Sequence, residues 1–275
     1  MNNLSSSIQP AELIDLHPPA ADMRRLVEEG LQRSPKQLPA WFLYDAEGSK
    51  LFDQICDQPE YKLTRREVDV LTAQAESIAA ALGPGVIVEF GAGSARKVGP
   101  LLEALQPAAY VALDISREHL QQATRSLQGL HPSVPMLGIC CDHSQLQTLP
   151  AHALLTGHNR LGFFPGSSLG NFSRRDAVTL LQRFRSLLEG GPLLLGLDHP
   201  KPAAELEAAY DDAAGISAAF ATNLLSRLNR DLKADFRPER FRYRARWQAD
   251  HNRVEMALVS QQAQTITIAG RTWQF

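Results

Sequence analysis

The apolar positions of the chain are spaced in two different ways. Between Val86 and Asp198, short aliphatic runs recur, each closed by a polar or glycine-rich turn. These runs are Val86–Val88 (VIV), Tyr110–Asp114 (YVALD), Met136–Asp142 (MLGICCD), Leu161–Phe164 (LGFF) and Pro192–Asp198 (PLLLGLD). Each is continuously apolar rather than alternating, the pattern of strands covered on both faces of a parallel sheet. Arg174–Leu188 has helical periodicity and is stopped by Gly190 and Gly191. The order predicts an α/β fold with a mainly parallel five-stranded sheet and right-handed crossovers, its ligands at the carboxyl ends of the strands. Gly91, Asp114, Asp142, Asn171 and Asp198 all fall at such ends.

Outside that stretch the periods change. Residues 1–20 are polar and proline-containing and read as a loose lead, followed by a helix over Ala21–Gln32 with Met23, Leu26, Val27 and Leu31 on one face. Leu38–Phe52 mixes aromatics with a turn expected around Gly48, and Thr64 is a candidate N-cap for a helix from Arg65 to Ala81. Pro202–Arg230 reads as helical, broken near Gly215. Arg240–Gln248, Val254–Ser260 and Thr265–Trp273 then alternate with period two, as an antiparallel meander would. Residues 202–275 therefore read as a second subdomain.

Composition narrows the class. The chain has 275 residues, 44% of them hydrophobic, and a net charge of -2, so nothing in it calls for nucleic acid or a membrane surface. Arginines cluster in Arg237–Arg246, but they alternate with aromatic and apolar residues as on a solvated sheet face. MNNLSSSIQP has neither a basic nor an apolar signal region, and no run reaches membrane-spanning length. Three cysteines, two of them adjacent in an apolar run, make no disulfide framework and fit a reducing cytoplasm. No Cys/His grouping has metal-ligand spacing, so no metal is expected.

The chemistry is concentrated in Val86–Lys97, VIVEFGAGSARK. A buried strand runs into Gly91 and Gly93, with a helix expected near Ser94. Glycine lets the backbone turn sharply and lie close to a ligand. A dinucleotide loop would carry a third glycine, replaced here around Ser94 and Ala95. The acid Glu89, beside where a phosphate would sit, suits a neutral or cationic nucleoside better. Asp114 lies one βαβ step on, where a carboxylate reaches ribose hydroxyls, and Asp142 is placed for an adenine amine. This order points to an S-adenosylmethionine (SAM)-dependent methyltransferase of the Rossmann-like class, with a nicotinamide enzyme as the alternative.

Four stretches together resemble the histidine Nα-methyltransferases of ergothioneine biosynthesis: WFLYDAEGSKLFDQICDQPEYKLTR, VEFGAGSARK, FFPGSSLGNF and AAYDDAAGISAAFATNLLSRLNRDL. The resemblance runs from about Pro35 to the end. It implies a SAM-binding methyltransferase domain over residues 61–200 and a substrate-recognition domain formed by residues 1–60 with 201–275. It also implies roles. Gly91 and Lys97, with Glu89 and Gly93 in the same loop, would serve the methyl donor, Asp114 its ribose, and Asp142 with His143 its adenine. Tyr61 would lie beside the substrate and orient its amine, Asn171 would bind the amino group and Tyr210 the carboxylate, with Tyr44 and Gly166 lining the same pocket. The substrate would be a free amino acid, with no nucleic acid, membrane or metal as partner. Relatives continue for several dozen residues past the point matching Phe275, carrying the Glu and Ser that read the imidazole and two further strands. Without that stretch the resemblance implies an open sheet edge, offset by oligomer contacts or seen as poor behaviour in solution, and leaves a non-catalytic SAM-binding protein as a further alternative.

Overall fold

The computed structural model describes residues 11–16 and 20–275, which fall into two compact units. One unit contains residues 11–16 and Arg65–Asp198, the other residues 20–64 and His199–Phe275.

The first unit is built on a six-stranded, wholly parallel sheet. Its strands are β1 (Glu12–Asp15), β2 (Val86–Phe90), β3 (Ala109–Asp114), β4 (Met136–Cys140), β5 (Arg160–Phe164) and β6 (Leu193–Leu195), in spatial order β1-β4-β3-β2-β5-β6. Every residue of β2 and β4 is buried, as their continuous apolar sequences require. One face carries Ile87, Leu101, Leu102, Tyr110 and Leu120; the other carries Val88, Phe90, Val111, Ile139 and Phe184. Burying such side chains contributes about 1.5–3 kcal/mol each, and the stacked Phe90 and Phe184 rings, 3.8 Å apart, anchor the second face. The chain winds outward from β2 to β3 and β4 on one side and to β5 and β6 on the other. The carboxyl ends of β2 and β5 are therefore the topological switch point where α/β sheets bind ligands.

Three expectations for this unit change. Within the loose lead, Glu12–Asp15 is a strand that pairs with β4 from Glu12 opposite Leu137 to Asp15 opposite Cys140, so the sheet has six strands, not five. The rest of that lead, residues 1–10 and 17–19, lies outside the described residues. No helix starts at Ser94; α4 (Gly99–Leu105) begins five residues later, because Gly91, Gly93 and Ala95 all have positive φ and cannot continue a helix. Helix α3 (Leu63–Leu82) starts before Thr64, whose hydroxyl donates to Cys56 Sγ at 3.3 Å rather than capping.

The second unit packs α1 (Ala20–Leu31) and α2 (Ala46–Asp57) with α7 (Ala203–Tyr210), α8 (Ile216–Leu232) and two β-ribbons. The sheet unit's remaining helices are α5 (Arg117–Leu130) and α6 (Arg174–Leu187). Met23, Val27 and Leu31 of α1 bury against Leu225, Leu228 and Leu232 of α8, the four-residue spacing of two amphipathic helices. Gly48 lies in the first turn of α2, not in a loop: Asp45 accepts its N–H at 2.8 Å and caps the helix. The meander is two separate ribbons. β7 (Phe241–Gln248) pairs with β8 (Arg253–Ser260), while the run from Thr265 divides at Ala269–Gly270 into β9 (Thr265–Ile268) and β10 (Arg271–Gln274). Arg242, Arg244 and Arg246 lie exposed along β7, with Phe241 and Ala245 buried between them.

Candidate active site

The glycine loop after β2 is folded by its neighbours' backbone. Gly91 and Ala92 both donate to the Leu113 carbonyl, at 2.8 and 3.1 Å, and Gly93 donates to Asp114 Oδ2 at 2.8 Å. Asp114 Oδ1 accepts from Ser116 N–H at 2.9 Å. The carboxylate at the end of β3 is thus fixed by one amide on each oxygen, and each oxygen keeps a lone pair for a ligand hydroxyl. Gly91 has φ +71° and Gly93 φ +54°, and no other atom lies within 4 Å of where a Cβ at Gly93 would stand. That opening is the room a donor needs against the loop.

At the end of β4, Asp142 Oδ1 accepts from the amide and the hydroxyl of Ser144, at 2.9 and 2.6 Å. His143 sits beside the glycine loop: a Cβ on Gly91 would stand 3.6 Å from its Cε1. Its ring meets Phe164 edge-on at 5.8 Å, and desolvation holds its pKa below the usual value, leaving the imidazole neutral at pH 7. Glu89 is turned inward and is 1% exposed, its Oε2 accepting from Tyr110 Oη at 2.6 Å. Burial pushes its pKa up to about 8, against the opposing Tyr110 hydrogen bond and the Lys97 charge, so the group is protonated at neutral pH.

Lys97 points across the switch point. Its Nζ lies 2.7 Å from Glu67 Oε2, and it fills the space beside Gly166, where a Cβ would stand 2.9 Å from the ammonium. Gly166 has φ +78° and opens the turn after β5, in which Ser167 and the short 3-10 helix Ser168–Asn171 follow. Asn171 is exposed at the end of that turn, and Asp198 is tied to it through its N–H to Ser167 Oγ at 3.1 Å.

In the second unit Tyr44, Tyr61 and Tyr210 belong to one run of aromatic rings. Tyr44 meets Phe52 at 5.3 Å, Phe52 meets Tyr61 at 6.2 Å and Tyr61 meets Tyr210 at 6.2 Å, all edge-to-face. Tyr61 is 8% exposed, and the Tyr210 carbonyl accepts from Tyr243 Oη.

Glu89, expected at the donor, is instead buried against Tyr110, and the other expected residues form three groups: the donor loop with Asp114, Asp142 and His143; Lys97 with the Gly166 turn; and the three tyrosines. A family model for histidine-specific, SAM-dependent methyltransferases matches residues 23–275. The chain belongs to that family. This methyltransferase is 36% identical over 255 residues to the histidine N-alpha-methyltransferase of Mycolicibacterium smegmatis, covering 91% of this chain and 78% of the relative. It is 34% identical over 215 residues to ergothioneine biosynthesis protein 1 of Schizosaccharomyces pombe, covering 74% of this chain and 28% of that one. It is also 30% identical over 273 residues to the 4-dimethylallyltryptophan N-methyltransferase of Arthroderma benhamiae, covering 92% and 79%. The resemblance drawn from the four motifs and the Rossmann-like class are both borne out, and the nicotinamide alternative is not supported. Sequence reasoning missed Glu67, Tyr110 and Gly196. Glu67 stands in a helical stretch with no motif around it, and only the fold brings it to the loop. No helix among the described residues is long and apolar enough to cross a membrane, and no group of three or more metal-ligating side chains is found among them.

Proposed function

We propose that this methyltransferase transfers methyl groups from SAM to the α-amino nitrogen of free histidine, up to the trimethylated betaine, in ergothioneine biosynthesis in the cytoplasm. The observation that carries the choice of acceptor is the 255-residue likeness to a histidine N-alpha-methyltransferase. The donor loop, with both oxygens of Asp114 held by backbone amides, supports the chemistry.

When bound, SAM supplies a methyl group already activated on a sulfonium. The chain has to align the two reactants and leave the amine a free lone pair. Alignment of this kind can supply up to about 7–11 kcal/mol of the barrier reduction. In this reading Gly91 and Gly93 let the backbone approach the donor, Asp114 binds its ribose hydroxyls and Lys97 its charged end. Asp142 Oδ2 takes the adenine amine, while neutral His143 adds no charge beside it. Asn171 accepts from the substrate amine through its side-chain oxygen, Tyr210 holds the carboxylate, and Tyr61 orients the amine or takes its proton through water. Tyr44 supports Tyr61 through the ring of Phe52, and Gly166 opens the turn that carries Asn171. An α-amino group titrates at about 7.7–8.0, so a small shift frees it near neutral pH.

The test is mass spectrometry of the purified chain with SAM and a mixture of free amino acids that includes histidine and tryptophan. A gain of one to three methyl groups on histidine is the expected product. Methylation of another amino acid would move the acceptor while keeping the chemistry. Donor binding with no product from any amino acid would sink the catalytic reading.

A further inference from the structure

Glu67, on α3, touches both sides of the switch point. Its Oε1 and Oε2 accept from the Gly166 N–H at 2.9 and 3.0 Å, and Oε2 also holds Lys97 Nζ. The Lys97 and Glu67 side chains are 18% and 12% exposed, so water screens this pair far less than a surface one. Two glycines make the cradle. Gly166 leaves room for the ammonium, and Gly196, hydrogen-bonded at the end of β6 to the Phe164 carbonyl, leaves room for the carboxylate; a Cβ there would collide with Glu67 Oε1.

We propose that Glu67 is a positioning residue of this methyltransferase, fixing the Lys97 ammonium for the donor and, through Gly166, setting the turn that carries Asn171. Gly196 is the glycine that admits it. The proposal rests on the roles given above to Lys97 and Asn171. Lysine has a long flexible stem, so an ammonium already held in place loses less freedom when a ligand arrives. One carboxylate anchors the donor-side lysine and the amide that opens the acceptor-side turn, so a displacement of Glu67 disturbs both.

Calorimetric SAM binding and steady-state kinetics on the full chain test it. Glu67→Gln is isosteric and keeps an acceptor for Gly166 N–H while removing the charge opposite Lys97. It should raise the SAM Kd about tenfold, the scale of one hydrogen bond to a charged group, with little change in thermal midpoint. Lys97→Met should do the same, and the double variant should be no worse than the poorer single one, because both remove one interaction. Glu67→Ala and Gly196→Ala should in addition lower kcat for histidine by about tenfold or more, through the released turn. Gly196→Ala leaves every charge in place, so it reads the same pair if Glu67→Gln folds poorly. Unchanged or tighter SAM binding in Glu67→Gln while Lys97→Met weakens it overturns the proposal, as do fully additive effects. SAM affinity unchanged in Lys97→Met removes the lysine's donor role and the proposal with it. A wild type that binds SAM but leaves histidine unmethylated removes only the acceptor reading, and the SAM-affinity cycle still decides Glu67.

Discussion

In the sheet unit the candidate site groups hang from backbone amides at strand ends, whereas in the other unit they are phenols set in a run of aromatic rings. Both oxygens of Asp114 and the Oδ1 of Asp142 accept from amides within two residues or on the adjoining loop. Tyr44, Tyr61 and Tyr210 are held by ring contacts among α2, the segments flanking it, and α7 and α8, more than a hundred residues on in sequence, with Phe220 of α8 facing Tyr44 at 5.3 Å. Amide-held carboxylates are set by local chain geometry and tolerate change elsewhere in the unit. Ring-held phenols depend on the packing of the whole cluster. Each half is therefore vulnerable in a different place.

The largest expected effect tests the unit cores. Phe184→Ala removes the ring stacked on Phe90 and should cost about 3–5 kcal/mol of stability, seen in chemical denaturation, and should abolish SAM binding with it. Leu228→Ala, in the second core, should cost about 2–5 kcal/mol. Because Leu228 lies in the other unit, SAM affinity should be retained by the folded fraction; equal loss of SAM binding in both variants would erase the contrast. Next comes Asn171→Ala. It should lower methyl transfer about a hundredfold, or about 2.7 kcal/mol, while the SAM Kd stays within about twofold. Equal turnover would remove the amine-binding role.

The pH prediction concerns Glu89. Its folded pKa of about 8 lies above its ordinary value of 4.5, so between those values the folded chain keeps a proton the unfolded chain has lost. Stability contributed by this group therefore falls as pH rises, and the fall ends above the folded value. Below the usual histidine pKa of 6.5, His143 acts in the opposite direction, because its lowered folded pKa makes protonation destabilising. The clean window is thus between 6.5 and about 8. Denaturation midpoints should decline across it, and Glu89→Gln should flatten the decline. The smallest effect is Asp45→Ala, which removes the α2 cap and the acceptor for Asn223 and Arg230, and should cost about 0.5–2 kcal/mol without touching SAM affinity.

Much of the sheet was legible because its strands are buried on both faces and so read as unbroken apolar runs. β1 was not, since four residues with exposed ends, ELID, carry no such run and are recruited by pairing with β4. The late start of α4 was hidden because a positive φ at Ala95 is a property of the folded loop, not of alanine. The tyrosines were legible only through the motifs that carry the family resemblance. Taken singly, Tyr61 and Tyr210 look like packing residues, and their ring contacts agree with that while leaving their phenols in one cluster.

The α/β class, the glycine loop, the acids at the ends of β3 and β4, and the family are all legible along the chain. These are written in local period and in short motifs, where each residue's neighbours are its neighbours in the chain. The folded chain alone shows that Glu67 reaches Gly166 across 99 positions, that Lys97 meets it there, and that Gly196 leaves room for its carboxylate. Those contacts depend on how crossovers order the strands, and periodicity along a chain carries no record of which distant turns that order brings side by side.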